Sequence, residues 1–199
     1  MELYCIHLPE QKERIERLEE HLTKSGITVE LNVVEGEKSV IGSVGCALSH
    51  QKIIKYAFDR DMEYIIVVED DIKFINNFDK YFNNICMDLP SDWDIIVGGV
   101  SWVSGVSRYN HNLVKIGDFS GTHFMIYNNS SYNSILKWKI NENKNIDRYL
   151  GDLSKRDLLN IYCITPFIAT QFNGYSTIRR TFTDDNELFF NAQKKINEA

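Results

Sequence analysis

Tyr64-Ile65-Ile66-Val67-Val68-Glu69-Asp70-Asp71 is the stretch whose reading decides the fold. Five apolar or β-branched residues run straight into three consecutive carboxylates. So short an apolar run reads as a strand buried on both faces, as in a parallel sheet covered by helices. Glu69, Asp70 and Asp71 then stand at its carboxyl end, where open α/β sheets bind ligands. Adjacent like charges repel one another unless something positive sits among them. A divalent cation with oxygen ligands, itself bound to a phosphorylated substrate, meets that need. A solvated acidic turn is the plainer alternative.

The flanking sequence extends the pattern in both directions. Leu3 to Leu8 reads as a first strand ended by Pro9, and Glu10 to Ser25 as a charged helix with Ile15, Leu18 and Leu22 on one stripe. Gly26 stops that helix, and Ile27 to Val34 is a second strand. Strand, helix, strand in this order points to a parallel α/β sheet. Gly45-Cys46-Ala47-Leu48-Ser49-His50 opens a helix reaching about Arg60, with Ile53, Ile54 and Ala57 buried.

Beyond the acids come a helix over Asn76 to Met87 and a strand over Trp93 to Val97. Gly98-Gly99 lets the backbone turn or approach a ligand closely. Residues 101–120, rich in Ser, Gly and Asn, read as a long surface loop or short hairpin that carries substrate contacts. Thr122 to Tyr127 is a strand, Tyr132 to Lys139 a helix, and Asp147 to Leu150 a short helical turn. Asn160 to Thr170 is a last strand, with Pro166 placing it at an edge or ending its ladder. The remaining tail is polar, with a helix from about Asp185. We divide the chain into a domain over 1–178 and a C-terminal tail and helix over 179–199.

The chain has 199 residues, 43% of them hydrophobic, which suits one globular domain with a core. A net charge of −6 argues against a polyanion-binding surface, although Arg179 and Arg180 form a local basic pair. Cys5, Cys46, Cys86 and Cys163 have no metal-like spacing. Reduced, mostly buried thiols are expected, which fits a cytoplasmic protein. Met1-Glu2-Leu3 leads directly into a strand, so no signal peptide is read, and no apolar run is long enough to span a membrane. The expected protein is soluble, or peripheral at a membrane.

The pieces then fall into a known order. Cys5-Ile6-His7-Leu8-Pro9 is followed by Arg14 and Arg17, by Gly45-Cys46-Ala47-Leu48-Ser49-His50, and by Val68-Glu69-Asp70-Asp71-Ile72. Trp93-Asp94-Ile95-Ile96, Gly121-Thr122-His123, Asp147 and Pro166-Phe167-Ile168-Ala169-Thr170-Gln171 complete the set. Over roughly residues 3–178 this resembles glycosyltransferase family 25, which includes bacterial lipooligosaccharide galactosyltransferases and the collagen galactosyltransferases. The first strand departs from the family pattern, ending in His7-Leu8 instead of Asn-Leu. The resemblance implies a GT-A-like (Rossmann-like) α/β domain with a mostly parallel central sheet flanked by helices. It also implies a nucleotide-sugar donor, usually a UDP-sugar, with Mn²⁺ or Mg²⁺.

The chemistry of the residues runs the same way. Sugar transfer loads negative charge on a departing diphosphate, and a cation bridging the phosphates stabilises it. Asp71, in an acid-x-acid spacing, is the first choice as metal ligand. Glu69 binds metal or a ribose hydroxyl, and Asp70 binds donor or points inward to support the turn. Ser49 and His50 are donor-site candidates near a helix start, where free N–H groups favour phosphate. Local capping by Ser49 and packing of His50 is the alternative.

An inverting transferase needs a base for the acceptor hydroxyl. Asp147 is that candidate, with a helix N-cap role as its plain alternative and Asp118 and Asp94 behind it. His123 is read as a metal or sugar ligand, or as a hydrogen-bonded structural residue. Gln171, Ser176 and Thr177 belong to a segment closing over the donor, with Arg179 and Arg180 beside it to neutralise diphosphate. Trp102 is the best aromatic platform for an acceptor, since Trp93 and Trp138 read as core.

Together these expectations describe a cytoplasmic transferase moving galactose or glucose from a UDP-sugar to a lipooligosaccharide or surface glycan. Asn-, Lys- and Ile-rich composition fits an AT-rich genome, viral ones included, and keeps a hydroxymethylated DNA base open as acceptor. A nucleotide-sugar-binding module without turnover is the other alternative.

Overall fold

The computed structural model describes residues 1–140, 145–176, 178 and 181–199. The central strand is where the sequence puts it: β3 covers Tyr64–Glu69. Its side chains alternate between two cores. Ile65 and Val67 join one hydrophobic cluster, and Ile66 and Val68 join the other. Period-two alternation with both faces apolar is what turns a continuous apolar run into a doubly covered strand.

Around it lies an eight-stranded sheet. β1 (Glu2–His7) is parallel to β3 on one side and to β2 (Glu30–Glu35) on the other. On the far side of β3 lie β10 (Phe124–Asn128), β5 (Ile95–Val97), β11 (Ile161–Ile164), β8 (Leu113–Lys115) and β7 (Ser107–Arg108), in that order. The sheet is mostly parallel, as expected, but β10 runs against both β3 and β5. The apolar and aromatic composition of β10 foretells a strand without foretelling its direction. β10 enters from the edge at which its neighbours end, so the residues just before it reach the carboxyl ends of β1 and β3.

Helices cover both faces. α1 (Lys12–Ser25) and α3 (Phe78–Cys86) pack Leu18, Leu22, Phe78 and Phe82 on one face. α2 (Gly42–Phe58), α4 (Asn129–Leu136), α5 (Ile146–Lys155) and α6 (Asn186–Asn197) cover the other. α6 contributes Phe189, Ala192 and Ile196 to that core. Burying a side chain the size of Phe189 or Ile196 is worth about 1.5–3 kcal/mol. Gly26 ends α1 at φ 64°, a conformation that favours glycine.

Residues 101–120 take the hairpin alternative over the surface loop, with two antiparallel pairings. They hold β6 (Trp102–Ser104), β7, β8 and β9 (Asp118–Ser120), and Val103, Leu113, Val114 and Phe119 are buried. Their Ser and Gly content hid a short-range antiparallel pattern. The strand expected over 160–170 is divided at Pro166 into β11 and β12 (Ala169–Gln171). β12 pairs with β4 (Ile72–Phe74), directly after the acids. β13 (Gly174–Ser176) and β14 (Thr181–Thr183) form a hairpin before α6. Cys5 and Cys163 are buried as expected, whereas Cys86 is exposed.

Gly99 sits where a side chain has no room. A Cβ there would collide with the backbone carbonyl of Ala169, which cannot rotate away. Gly99→Ala is expected to cost about 1–3 kcal/mol as overpacking, read as a lower urea midpoint.

Candidate active site

The carboxyl ends of β1 and β3, the start of α1 and the approach to β10 meet at one corner. Past β3 the chain turns, and the Asp70 N–H donates to the Ile6 carbonyl at 3.2 Å. The Asp70 side chain turns inward and is 3% exposed. One carboxylate oxygen lies 2.7 Å from His7 Nδ1, and the other lies 2.8 Å from an Arg14 guanidinium nitrogen. The second terminal nitrogen of Arg14 pairs with Asp71, whose other oxygen accepts from Gln171 Nε2 at 3.0 Å. Arg14 therefore forks across two neighbouring carboxylates, the bidentate geometry that guanidinium suits.

This is the positive group that consecutive acids require. Sequence reasoning assigned the need to a cation and left Arg14 as part of a family pattern. The signal was available: Arg14 and Arg17 follow the strand that neighbours β3. His7 was noted only as a departure from that pattern, and here it meets Asp70.

Glu69 is oriented differently. It accepts a short hydrogen bond from the Thr122 hydroxyl, and the Thr122 oxygen lies 3.6 Å from Cys46 Sγ. Burial pushes the Glu69 carboxyl above its usual range, opposed by the Thr122 hydrogen bond and by Arg14.

Two pockets open here. The smaller, about 320 Å³, is lined by Arg14, Cys46, Ser49, Glu69 and Asp70 among others. The larger, about 510 Å³, includes Arg14, Glu69, Asp71, Asp147, Gln171 and Ser176 in its wall. Both volumes lie in the range of small-molecule sites. Arg14, Glu69 and Ile178 belong to both walls, so the pockets adjoin.

Asp147 lies in the first turn of α5, after Asn145 as the cap residue. Its Oδ2 accepts from the Gly121 N–H at 3.0 Å, and its Oδ1 accepts from the Arg148 N–H at 2.8 Å. Burial raises its pKa despite those two donors. Asp118 is tied to Arg148 and Lys155, and Asp94 holds the Asn160 N–H and the Ser130 hydroxyl at a strand end. Trp102 is exposed, with Arg148 4.4 Å from its ring centre. Trp138 is core.

One premise needs correction. α2 begins at Gly42, after an extended Ile41, so Ser49 and His50 lie well inside the helix and not in its first turn. The free N–H groups of a helix start are therefore not theirs. The glycine and small residues at 42–47 are helical here because their backbones pack closely: a Cβ on Gly45 would lie 2.6 Å from the Glu37 carbonyl. The Ser49 hydroxyl donates to the Gly45 carbonyl and accepts from the Glu37 N–H, both at 2.7 Å. It still reaches the smaller pocket. His50 is fully buried, with Nδ1 3.0 Å from the Tyr127 hydroxyl, and burial lowers its pKa to about 4.

His123 lies in neither pocket wall. It is fully buried, edge-on to Phe189 at 5.2 Å between ring centres, with Nε2 3.3 Å from the Ala169 carbonyl. Burial lowers its pKa to about 4. Thr177, Arg179 and Arg180 lie outside the described residues.

A hard divalent cation binds through one or two carboxylates together with substrate phosphates. Glu69 and Asp71 both line the larger pocket and carry the ligand type such an ion takes, with the two Asp71 oxygens held by Arg14 and Gln171. Among the described residues, one group of three metal-ligating side chains converges: Cys46, His50 and Glu69, with ligand atoms within 4.8 Å of one another.

An acidic corner at the carboxyl edge of a helix-covered sheet, with two pockets meeting there, is where open α/β sheets bind their ligands. The family model of glycosyltransferase family 25 (LPS biosynthesis protein) matches residues 35–176, and the chain belongs to that family. Procollagen galactosyltransferase 2 of Mus musculus is 34% identical over 61 residues, 29% of this chain and 10% of that protein. A Rattus norvegicus protein named "Probable inactive glycosyltransferase 25 family member 3" is 34% identical over 61 residues, 29% of this chain and 11% of its own length. The aligned stretch thus spans about a tenth of either relative. Among solved structures, a glycosyltransferase involved in the glycosylation of the major capsid of PBCV-1 aligns with a TM-score of 0.49 and 10% identity. That alignment covers 96% of this chain and 98% of the other. No described helix is long and apolar enough to cross a membrane.

Proposed function

We propose that this chain transfers a hexose, galactose or glucose, from a UDP-sugar to an acceptor hydroxyl, with Mn²⁺ or Mg²⁺ bound at Glu69 and Asp71. The observation that carries this reading is the meeting of two pockets at Arg14 and Glu69. The smaller takes the nucleotide, against Ser49, Glu69 and Asp70. The larger takes the sugar and the acceptor, beside Gln171 and Ser176.

A bound cation would act as a Lewis acid toward the departing diphosphate. The chain's own residues supply the rest. Arg14 presents positive charge at the junction. Asp147 Oδ2 takes the acceptor hydroxyl proton, its carboxylate oriented by the Gly121 and Arg148 N–H groups. A surface glycan, lipooligosaccharide included, is the proposed acceptor and the cytoplasm the proposed location. A hydroxymethylated DNA base as acceptor has only the composition behind it, and the net charge of −6 opposes it.

The second reading is a binding module without turnover. It is favoured by the equal identity to one relative named for activity and one named as inactive. A thermal-shift screen of nucleotide sugars with and without Mn²⁺ tests donor binding. A donor at 100 times its Kd stabilises by about 2.7 kcal/mol, roughly 5–11 °C for a chain this size. Asp71→Ala is expected to remove the metal-dependent part of the shift. No shift with any UDP-sugar overturns the proposal, and a shift without sugar transfer or donor hydrolysis establishes the module.

A further inference from the structure

We infer that Cys46, His50 and Glu69 form a second cation site, selective for a thiophilic divalent ion of the zinc class. Cys46 and His50 are four apart on α2, so helical periodicity stacks them on one face. Glu69 meets them from the end of β3. Thiolate, imidazole and carboxylate are the ligand types of catalytic zinc centres, in which three protein ligands leave a position open. The donor set is softer than the all-oxygen pair Glu69 and Asp71, and softness separates zinc-class from magnesium-class ions.

His50 supplies the independent observation. It is completely buried, yet Nε2 has no hydrogen-bond partner among the described residues. Buried polar nitrogens are rarely left so. Nδ1 lies 3.0 Å from the Tyr127 hydroxyl, and with Nδ1–H donating to that oxygen the lone pair stands on Nε2.

The ligand atoms lie within 4.8 Å of one another. Bond lengths of 2.0–2.3 Å at tetrahedral angles bring ligand atoms to roughly 3.5 Å, so small side-chain rotations close the site. Cys46 and Glu69 both line the smaller pocket, which leaves the open position facing it. On binding, Cys46 Sγ–H gives its proton to solvent and the sulfur electron pair forms the metal bond, with no change of oxidation state. Glu69 is then shared with the proposed hard-cation site, so the two ions compete for it. Only this competition rests on the transferase reading.

The test is titration of the full chain with Co²⁺ alone, without nucleotide sugar. A sulfur-to-cobalt charge-transfer band that saturates at one equivalent and is bleached by Zn²⁺ is expected. Cys86→Ser keeps the band, since Cys86 is exposed on another helix. Cys46→Ser abolishes it, and His50→Gln weakens cobalt affinity at least about tenfold. Far-UV circular dichroism shows that each variant is folded, and Cys46→Ala replaces Cys46→Ser if the latter is not. Absence of the band in natively folded protein, or its survival in Cys46→Ser, overturns the site. Failure there with an intact donor-induced thermal shift leaves the transferase reading standing. A cobalt band without a donor shift does the reverse.

Discussion

Asp147→Asn is expected to lower the rate of sugar transfer by about 10²–10⁴, the usual contribution of a positioned base. Donor-induced stabilisation should survive, because Asp147 lines only the larger pocket. The pH dependence has a definite sign. Burial raises the Asp147 pKa, and the working form is the carboxylate. The acid limb of kcat should therefore fall at a pH above the ordinary carboxylate range, and the variant should lose it.

Stability moves the other way. The folded chain holds the proton more tightly than the unfolded chain, so stability declines as pH rises from the ordinary value through the raised one. Asn carries no such penalty. Asn has one acceptor oxygen for the two N–H donors, so the variant should melt no higher than the parent, and its melting temperature should lack the parent's decline through that pH range. Steady-state kinetics and melting curves across pH check both halves. Transfer retained within about threefold would reduce Asp147 to a helix-start contact for the Gly121 and Arg148 amides.

Arg14→Ala is expected to destabilise the fold by about 3–5 kcal/mol, because it takes the guanidinium from the buried Asp70, leaving it His7 alone, and one partner from the half-buried Asp71. Asp70 is 3% exposed and cannot recover water without local opening. Arg14→Lys should restore only part of the loss, since an ammonium lacks the fork that spans Asp70 and Asp71. Urea denaturation measures both variants, and Asp70→Asn in the Arg14→Ala background should regain stability if the cost is uncompensated charge. Added Mn²⁺ is expected to recover part of the Arg14→Ala deficit. A loss within about 0.5 kcal/mol would show that water already compensates these acids.

The sequence is informative where one physical cause dominates. Ile65 to Val68 could only be a doubly buried strand, and Leu18 and Leu22 could only face a core. Gly26 had to end its helix. The misplacements have causes too. Ser49 and His50 are read at a helix start because glycine usually interrupts helices, whereas α2 already begins at Gly42 and Gly45 lies inside it for close packing. The direction of β10 depends on its partners, and strand composition carries no such information.

The candidate site was half legible. Consecutive acids announced a demand for positive charge, but the group that meets it comes from a helix more than fifty residues earlier, and linear spacing does not report that contact. The convergence of Glu69 with Cys46 and His50 was hidden likewise, because the cysteines lack the spacing of a metal motif.

That corner is tied together by contacts between distant parts of the chain. Gln171 reaches Asp71 across 100 residues, and Arg17 donates to the Asn173 carbonyl across 156. Closing such long loops costs entropy that is returned only when the partners arrive, so folding through them is slow. Helices and the β1–β2 pairing can assemble early from nearby sequence. The wall of the larger pocket is completed by residues from the last third of the chain, Asp147, Gln171 and Ser176 among them, so its shape depends on these long-range closures.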